Sequence, residues 1–314
     1  MREIQINGTR VRWGQQANLE IPIAKLPTHT LIDLPIFIRS SSKEGPIVLI
    51  SGGIHGDEIN GVVTAKKFLE EVDQGLDLKK GALVIIPLVN IYGFLSNSRT
   101  FPDGRDLNRS FPGSKKGSLA SRIAFIISEE IIPQIDYGID FHTGGRMLSN
   151  YPQIRVDFSD KKGMELAMAF GTRFIVNSKH IEKSFRKTAF KAKRNILVFE
   201  GGESMRLDPL SIEEGISGTK RMLRHLSMIE DAPEAQETLM LKNSDWVRAK
   251  ASGIFYSSVN LGDSVKKGQI LARITDPYGQ VVVPVKSPFN GYVIGVNNNP
   301  VINVGDALIH VGDL

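Results

Sequence analysis

The sequence predicts an α/β fold, with helices packed around a sheet of parallel character, followed by a smaller all-β domain at the C-terminal end. Three observations carry that prediction. From residue 46 to about 230, short apolar runs alternate with amphipathic stretches of helical length. From residue 245 the texture changes to short strands broken by Gly, Asn and Pro. Before residue 46, polar and apolar stretches alternate around Pro22, Pro27 and Pro35, as in a β-ribbon.

Strands are expected at Ile47–Ser51, Ala82–Val89, Gly138–His142, Arg173–Asn177 and Asn195–Glu200. Helices are expected at Asp57–Val72, where Val62, Ala65, Phe68, Leu69 and Val72 share one face, and at Ser118–Ile132, Lys162–Phe170 and Gly215–Met228. The run SFRKTAFKAKR (184–194) reads as a further, basic helix. These elements divide the chain into a part at 1–232 with a β-rich start at 1–45, a polar linker at 233–244 and a β-rich domain at 245–314. The last holds a weak repeat: ASGIFYSSVNLGDSVKKGQILARI is echoed by SPFNGYVIGVNNNPVINVGDALIHV, two hairpin-like halves of a small sandwich or barrel.

Composition narrows the chemistry. The 314 residues contain no cysteine, which excludes disulfides, thiolate-ligated metals and thiol nucleophiles. Any metal must be held by His, Asp, Glu or backbone oxygen. The start has no apolar signal-peptide core and no apolar run reaches membrane-helix length, so the chain reads as cytoplasmic, with no membrane partner. Thirty-nine basic against 34 acidic residues give a net charge of +5, a mild bias, and no nucleic-acid fingerprint accompanies it.

Ligands of open α/β sheets gather beyond the carboxyl ends of the strands. His55, His142 and Glu200 all fall at or just past such ends. In SGGIHGDEING, His55 is followed at the third position by Glu58, on a glycine turn before a helix. His142 ends the strand YGIDFH. Two histidines and a carboxylate, with a position left open for water, make a catalytic zinc site. Such a site needs a base for the water whose pKa the metal lowers to about 7. Glu200, at the end of NILVFE and before two glycines, suits that role, and Glu203 competes for it. The block RTFPDGRDLNRSFPG (99–113) concentrates Arg105, Asp106, Asn108 and Arg109, which suits a carboxylate clamp.

HGDE (55–58), DLNRSFPG (106–113), DFHTG (140–144) and VFEGG (198–202), in this order, resemble the succinylglutamate desuccinylase/aspartoacylase family, a branch of the zinc carboxypeptidase superfamily. The resemblance implies a zinc-carboxypeptidase-like mixed sheet flanked by helices. It implies one Zn²⁺ per chain on His55, Glu58 and His142, Glu200 as general base, and Asn108 and Arg109 on the substrate carboxylate. Asp106 would orient His55. An upstream arginine, Arg99 or Arg105, would stabilise the oxyanion, with Arg99 slightly favoured. Arg186 resembles a family arginine that contacts an acidic substrate side chain. The tail is similar to biotinyl/lipoyl barrel-sandwich domains, but TDPYGQVVV (275–283) lacks the lysine that would carry a cofactor, so a structural or oligomerising role is expected.

The expected activity is therefore zinc-dependent hydrolysis of the amide bond of a small N-acyl amino acid. A zinc carboxypeptidase acting on peptides and a non-catalytic scaffold on the same fold are the alternatives. The expected partner is a small-molecule N-acyl substrate; paired β-rich tails are compatible with a homo-oligomer.

Overall fold

The computed structural model describes residues 3–314, so the first two residues of the β-rich 1–45 stretch lie outside it. The N-terminal stretch forms a ribbon, β1 (Ile4–Ile6) with β2 (Thr9–Val11), and a long antiparallel hairpin, β3 (Gln16–Lys25) with β4 (Leu31–Ser40). The apolar runs that follow become β5 (Ile47–Gly52) and β6 (Ala82–Ile86), and every residue of both strands is buried. Continuous burial is what a strand covered on both faces requires, and it explains why neither run alternates with polar residues. Strand β6 stops short of the expected Val89 because Pro87 has no N–H to give to a ladder.

Helix α1 (Ile59–Asp73) connects β5 to β6 and lays Ala65, Phe68 and Leu69 on the sheet. Its Gly61 rests on the backbone of Phe141, where a Cβ would come within 2.6 Å of the carbonyl oxygen. A short helix α2 (Ile91–Leu95) follows, and then α3 (Leu119–Ile126), which continues into a π-helical turn at Ile127–Ile131. Strand β7 (Tyr137–Gly144) inserts between β5 and β10 (Asn195–Glu203), parallel to both. Between them in sequence lie β8 (Leu148–Val156), α4 (Lys161–Phe170), β9 (Phe174–Asn177) and α5 (Phe185–Lys191). Helix α6 is Pro209–His225, starting six residues before the expected Gly215 and ending three before the expected Met228. Asp208 accepts from the Ser211 N–H as its cap, and the glycines mark packing instead of a boundary: Gly215 meets Phe141 and Gly218 meets Phe170.

Within 233–244, β11 (Leu239–Leu241) pairs in parallel with β9. From residue 243 the regular structure is all strand: β12 (Asn243–Arg248), β13 (Gly253–Ser257), β14 (Ser264–Val265), β15 (Ile270–Thr275), β16 (Val282–Lys286), β17 (Gly291–Asn297), β18 (Val301–Ile302) and β19 (Ala307–Asp313). Among the described residues, one mixed sheet runs β12-β19-β17-β8-β10-β7-β5-β6-β4-β3, with β9, β11 and β14 joined beside it. Strands β13, β15, β16 and β18 form a second, antiparallel sheet. Four apolar clusters result among the described residues, the smallest of them Phe174, Val176, Leu241 and Ile294 where β9, β11 and β17 meet. Of the other three, one lies beneath α3 and the N-terminal strands, one between the sheet and α1, α4 and α6, and one inside the β-rich region. The four central strands β6, β5, β7 and β10 are parallel, so their carboxyl ends open on one edge. No helix among the described residues is long and apolar enough to cross a membrane.

Candidate active site

That edge carries the site. Strand β5 ends at Gly52, and the turn through Gly53, held at φ +62°, delivers His55 and then Glu58, which stands at the start of α1 with its carboxylate free of the helix end. His142 sits near the end of β7, in register with Glu200 on β10, so the two side chains leave the sheet on the same face. His55, Glu58 and His142 are all buried, and one ligand atom from each lies within 4.8 Å of the others. Both imidazoles aim Nδ1 at the Glu58 carboxylate, His55 at 2.7 Å from Oε1 and His142 at 2.9 Å from Oε2. The Thr143 N–H also donates to Glu58 Oε2, at 3.2 Å.

The opposite ring nitrogens are committed to further carboxylates. His55 Nε2 lies 3.2 Å from Asp106 Oδ1, and His142 Nε2 lies 2.8 Å from Asp140 Oδ2. An imidazole whose outer nitrogen is tied to a carboxylate is fixed in tautomer and orientation, the arrangement expected of a metal-bound histidine. Asp140 was not singled out from the sequence, although D-F-H places it two positions before His142 and hence on the same strand face. The Ser51 hydroxyl donates to it in turn, at 2.9 Å.

Electrostatics point the same way. Burial alone disfavours a charged imidazole at His55 and His142, yet the surrounding carboxylates outweigh it and raise both pKa values, that of His142 strongly. Burial opposes ionisation of Glu58, but the two histidines hold its carboxyl well below the usual range. Asp106 is likewise lowered against its burial, chiefly by His55 and then by Arg99. Protons on the imidazoles or a dication between them are alternative ways to balance the same negative charge. The donor set of two imidazoles and one carboxylate fits Zn²⁺.

The cleft over this cluster has a volume of about 270 Å³ and is lined further by Arg99, Asn108, Arg109, Arg155, Arg186, Glu200 and Trp246. Arg99 donates to Glu58 Oε1 at 3.0 Å and to Asp106 Oδ2 through Nη2 at 3.2 Å. Arg105, the competing arginine, is outside the lining: its side chain is 64% exposed and pairs with Asp103. Asp106 caps the turn Leu107–Arg109 that presents Asn108 and Arg109. Asn108 Oδ1 accepts from the Phe185 N–H at 2.9 Å, tying this loop to the start of α5. Arg186 lines the cleft, but its guanidinium donates to the carbonyls of Arg155, Ser178 and Lys179 and to the Ser178 hydroxyl. Burial, then the neighbouring Arg155, lower its pKa to about 10.

Glu200 faces the cleft and accepts from Asn150 Nδ2 at 2.9 Å, with Arg155 Nη1 at 3.5 Å from its other oxygen. Glu203, its competitor from the sequence, points elsewhere and accepts from Ser149 and Asn298. Asn150, Arg155 and Trp246 were not found from the sequence. They come from β8 and β12, whose strand patterns carry no motif.

The model of the succinylglutamate desuccinylase/aspartoacylase catalytic domain matches residues 44–226, more than half of the chain and the whole of this edge except Trp246. The chain belongs to that family. A relative, the N-alpha-acetyl-L-2,4-diaminobutyric acid deacetylase of Halomonas elongata, is 29% identical over 288 residues, 86% of this chain and 83% of that one. Among solved structures, the product-bound ectoine utilization protein EutE (DoeB) of Ruegeria pomeroyi superposes with a TM-score of 0.83 at 25% identity, covering 96% of this chain and 95% of that one. A succinylglutamate desuccinylase/aspartoacylase of Rhodobacter sphaeroides reaches the same TM-score at 24% identity, over 95% and 94% of the two chains, and attests the fold. The match of this family member extends through the β-rich region as well, since both superpositions cover nearly the full chain.

Proposed function

We propose that this protein is a zinc-dependent hydrolase that cleaves the amide bond of a small N-acyl amino acid, releasing the acid and the free amine. The observation that carries the reading is the convergence of His55, Glu58 and His142, buried and within 4.8 Å of one another, beneath a cleft that also holds Glu200. The name of the Halomonas relative, a deacetylase of an N-acetylated amino acid, supports the same reaction class.

In this reading His55, Glu58 and His142 hold the ion, and Asp106 and Asp140 keep the imidazoles oriented. Bound zinc supplies Lewis-acid chemistry, acidifying water and polarising the amide carbonyl. Glu200 takes the proton from the attacking water and returns it to the leaving amine. Arg99 donates to the oxygen on which negative charge develops. Asn108 and Arg109 bind the free carboxylate of the amino acid, for which a guanidinium offers a planar pair of donors. Arg186, with its donors spent on backbone carbonyls, holds the loop that follows β9 instead of substrate.

We read the chain as a catalytic part, 1–232, joined through 233–244 to the β-rich 245–314. Trp246 from that last part walls a cleft of about 270 Å³, at the small end of ligand pockets, which favours a small substrate over a peptide.

The test is elemental analysis of the purified protein and of His142→Ala, alongside release of free amine from a panel of N-acetyl and N-succinyl amino acids. About one zinc per chain, lost in the variant together with turnover, is expected. Zinc without hydrolysis of any panel member would favour the scaffold reading, and absence of zinc from both proteins would remove the metal site.

A further inference from the structure

Strand β8 is hydrogen-bonded to β10 on one side and to β17 on the other, and Asn150 lies at the centre of that seam, opposite Gly202 and Gly295. Its side chain is closely surrounded. Asn150 is 3% exposed, and the neighbouring Gly295 is crowded: a Cβ there would lie 3.0 Å from His310 Cβ, 3.1 Å from Asn150 Oδ1 and 3.1 Å from Trp246 Cη2.

The held amide donates Nδ2–H to Glu200 Oε2 at 2.9 Å. The other oxygen, Oε1, faces Arg155 Nη1 at 3.5 Å, from the same strand five residues on. The two contacts act on a torsion that is otherwise soft. The last torsion of a glutamate has a broad, nearly two-fold profile, so a single contact leaves the carboxylate free to swing. The β10 ladder gives little help, since its pairing to β8 shifts register between Glu200 and Gly202.

We propose that Asn150, with Arg155, is a positioning residue for the general base: it fixes the plane of the Glu200 carboxylate so that one oxygen stays within reach of the water to be deprotonated. This inference rests on the reading of Glu200 as base. A base works only within hydrogen-bond reach, about 2.6–3.2 Å, and small misplacements cost orders of magnitude in rate. Because β17 is the far neighbour of Asn150, the β-rich region reaches the base through this seam.

Steady-state kinetics on the zinc-loaded full chain tests it, with an N-acyl amino acid that the wild type hydrolyses. Wild type, Asn150→Ala, Asn150→Asp and Glu200→Gln are compared, and zinc content is measured for each. Asn150→Ala should lower kcat about 10- to 100-fold, the range for losing a hydrogen bond to a charged group, with KM and zinc content near wild type. Asn150→Asp decides between positioning and mere packing. It preserves shape but turns an acceptor toward Glu200, so positioning makes it at least as damaging as Asn150→Ala, whereas a packing role makes it milder.

A mild Asn150→Asp beside an inactive Glu200→Gln would overturn the inference and leave the base assignment standing. An active Glu200→Gln would remove the base assignment itself, and this inference with it. Should Asn150→Ala fail to fold, the near-isosteric Asn150→Asp still carries the comparison with wild type.

Discussion

On one side of the cleft, His55, Glu58 and His142 come from two short motifs at the ends of β5 and β7, and their outer nitrogens are held by Asp106 and Asp140. On the other, Glu200 is held by Asn150 and Arg155 from β8, and Trp246 from β12 closes the wall. The first side is built from short motifs, with His55 three positions from Glu58 and Asp140 two from His142, although His55 lies 51 positions from Asp106 and Glu58 lies 84 from His142. The second is assembled across strand pairings, with Asn150 fifty positions from Glu200 and Trp246 in another part of the chain. The difference is chemical. Metal ligation demands particular residue types at short range, whereas holding a carboxylate or walling a cleft can be done by any donor or ring that the sheet delivers.

The largest expected effect separates the two sides. Glu200→Gln removes the proposed base and leaves all three proposed ligands, so zinc content should stay at the wild-type level. Turnover should fall about a hundred- to ten-thousand-fold, the usual worth of general acid–base catalysis. Zinc loss in this variant would show that the two sides are not separable and would break the comparison. Turnover near wild type would transfer the base role to another group.

A smaller effect distinguishes the arginines of the 99–109 loop. Arg109 lines the cleft, while Arg105 is 64% exposed and paired with Asp103. Arg109→Ala should raise KM about tenfold or more for substrates with a free carboxylate, by loss of a charge-assisted contact, and leave their carboxamides unaffected. Arg105→Ala should change neither. Equal effects from both variants would mean that the loop binds substrate through its overall charge, not through a clamp.

The fold was legible where burial on both faces forces continuous apolar runs, as at Ile47–Gly52, and where a helix shows one apolar stripe, as at Ile59–Asp73. Strand β8 was not. Ser149, Asn150, Pro152 and Gln153 lie within nine residues, and a proline argues against a strand with neighbours on both sides. The irregular pairing of β8 with β10 and the internal side-chain bonds of Gln153, to the carbonyls of Tyr151 and Ile294, accommodate that composition. Helix α6 starts six residues before the expected Gly215, and Gly215 and Gly218 are places where it touches Phe141 and Phe170. Asp140 was within reach of the sequence through strand alternation; Asn150, Arg155 and Trp246 required the register of four strand pairs, from β12 through β19, β17 and β8 to β10.

The smallest expected effect probes the far wall. Trp246 stacks on His310 with centroids 4.8 Å apart and planes 12° from parallel, and His310 is 6% exposed. Burial, and then the nearby Arg155, lower the His310 pKa from 6.5 to about 3, so the folded protein keeps this ring neutral. In the unfolded chain it takes up a proton below its ordinary value. The unfolded state therefore binds more protons between these limits, and stability present above pH 6.5 is lost as the pH falls toward 3. At pH 5 the loss from this one group is about 2 kcal/mol. His310→Phe keeps a flat ring against Trp246 and has no proton to gain. Urea unfolding of the two proteins at pH 7 and pH 5 should show the wild type losing about 2 kcal/mol more than the variant over that step. Parallel losses would mean that water reaches His310 in the folded state. The wall behind Trp246 would then be open to water, and the far side of the cleft would not be closed at this point.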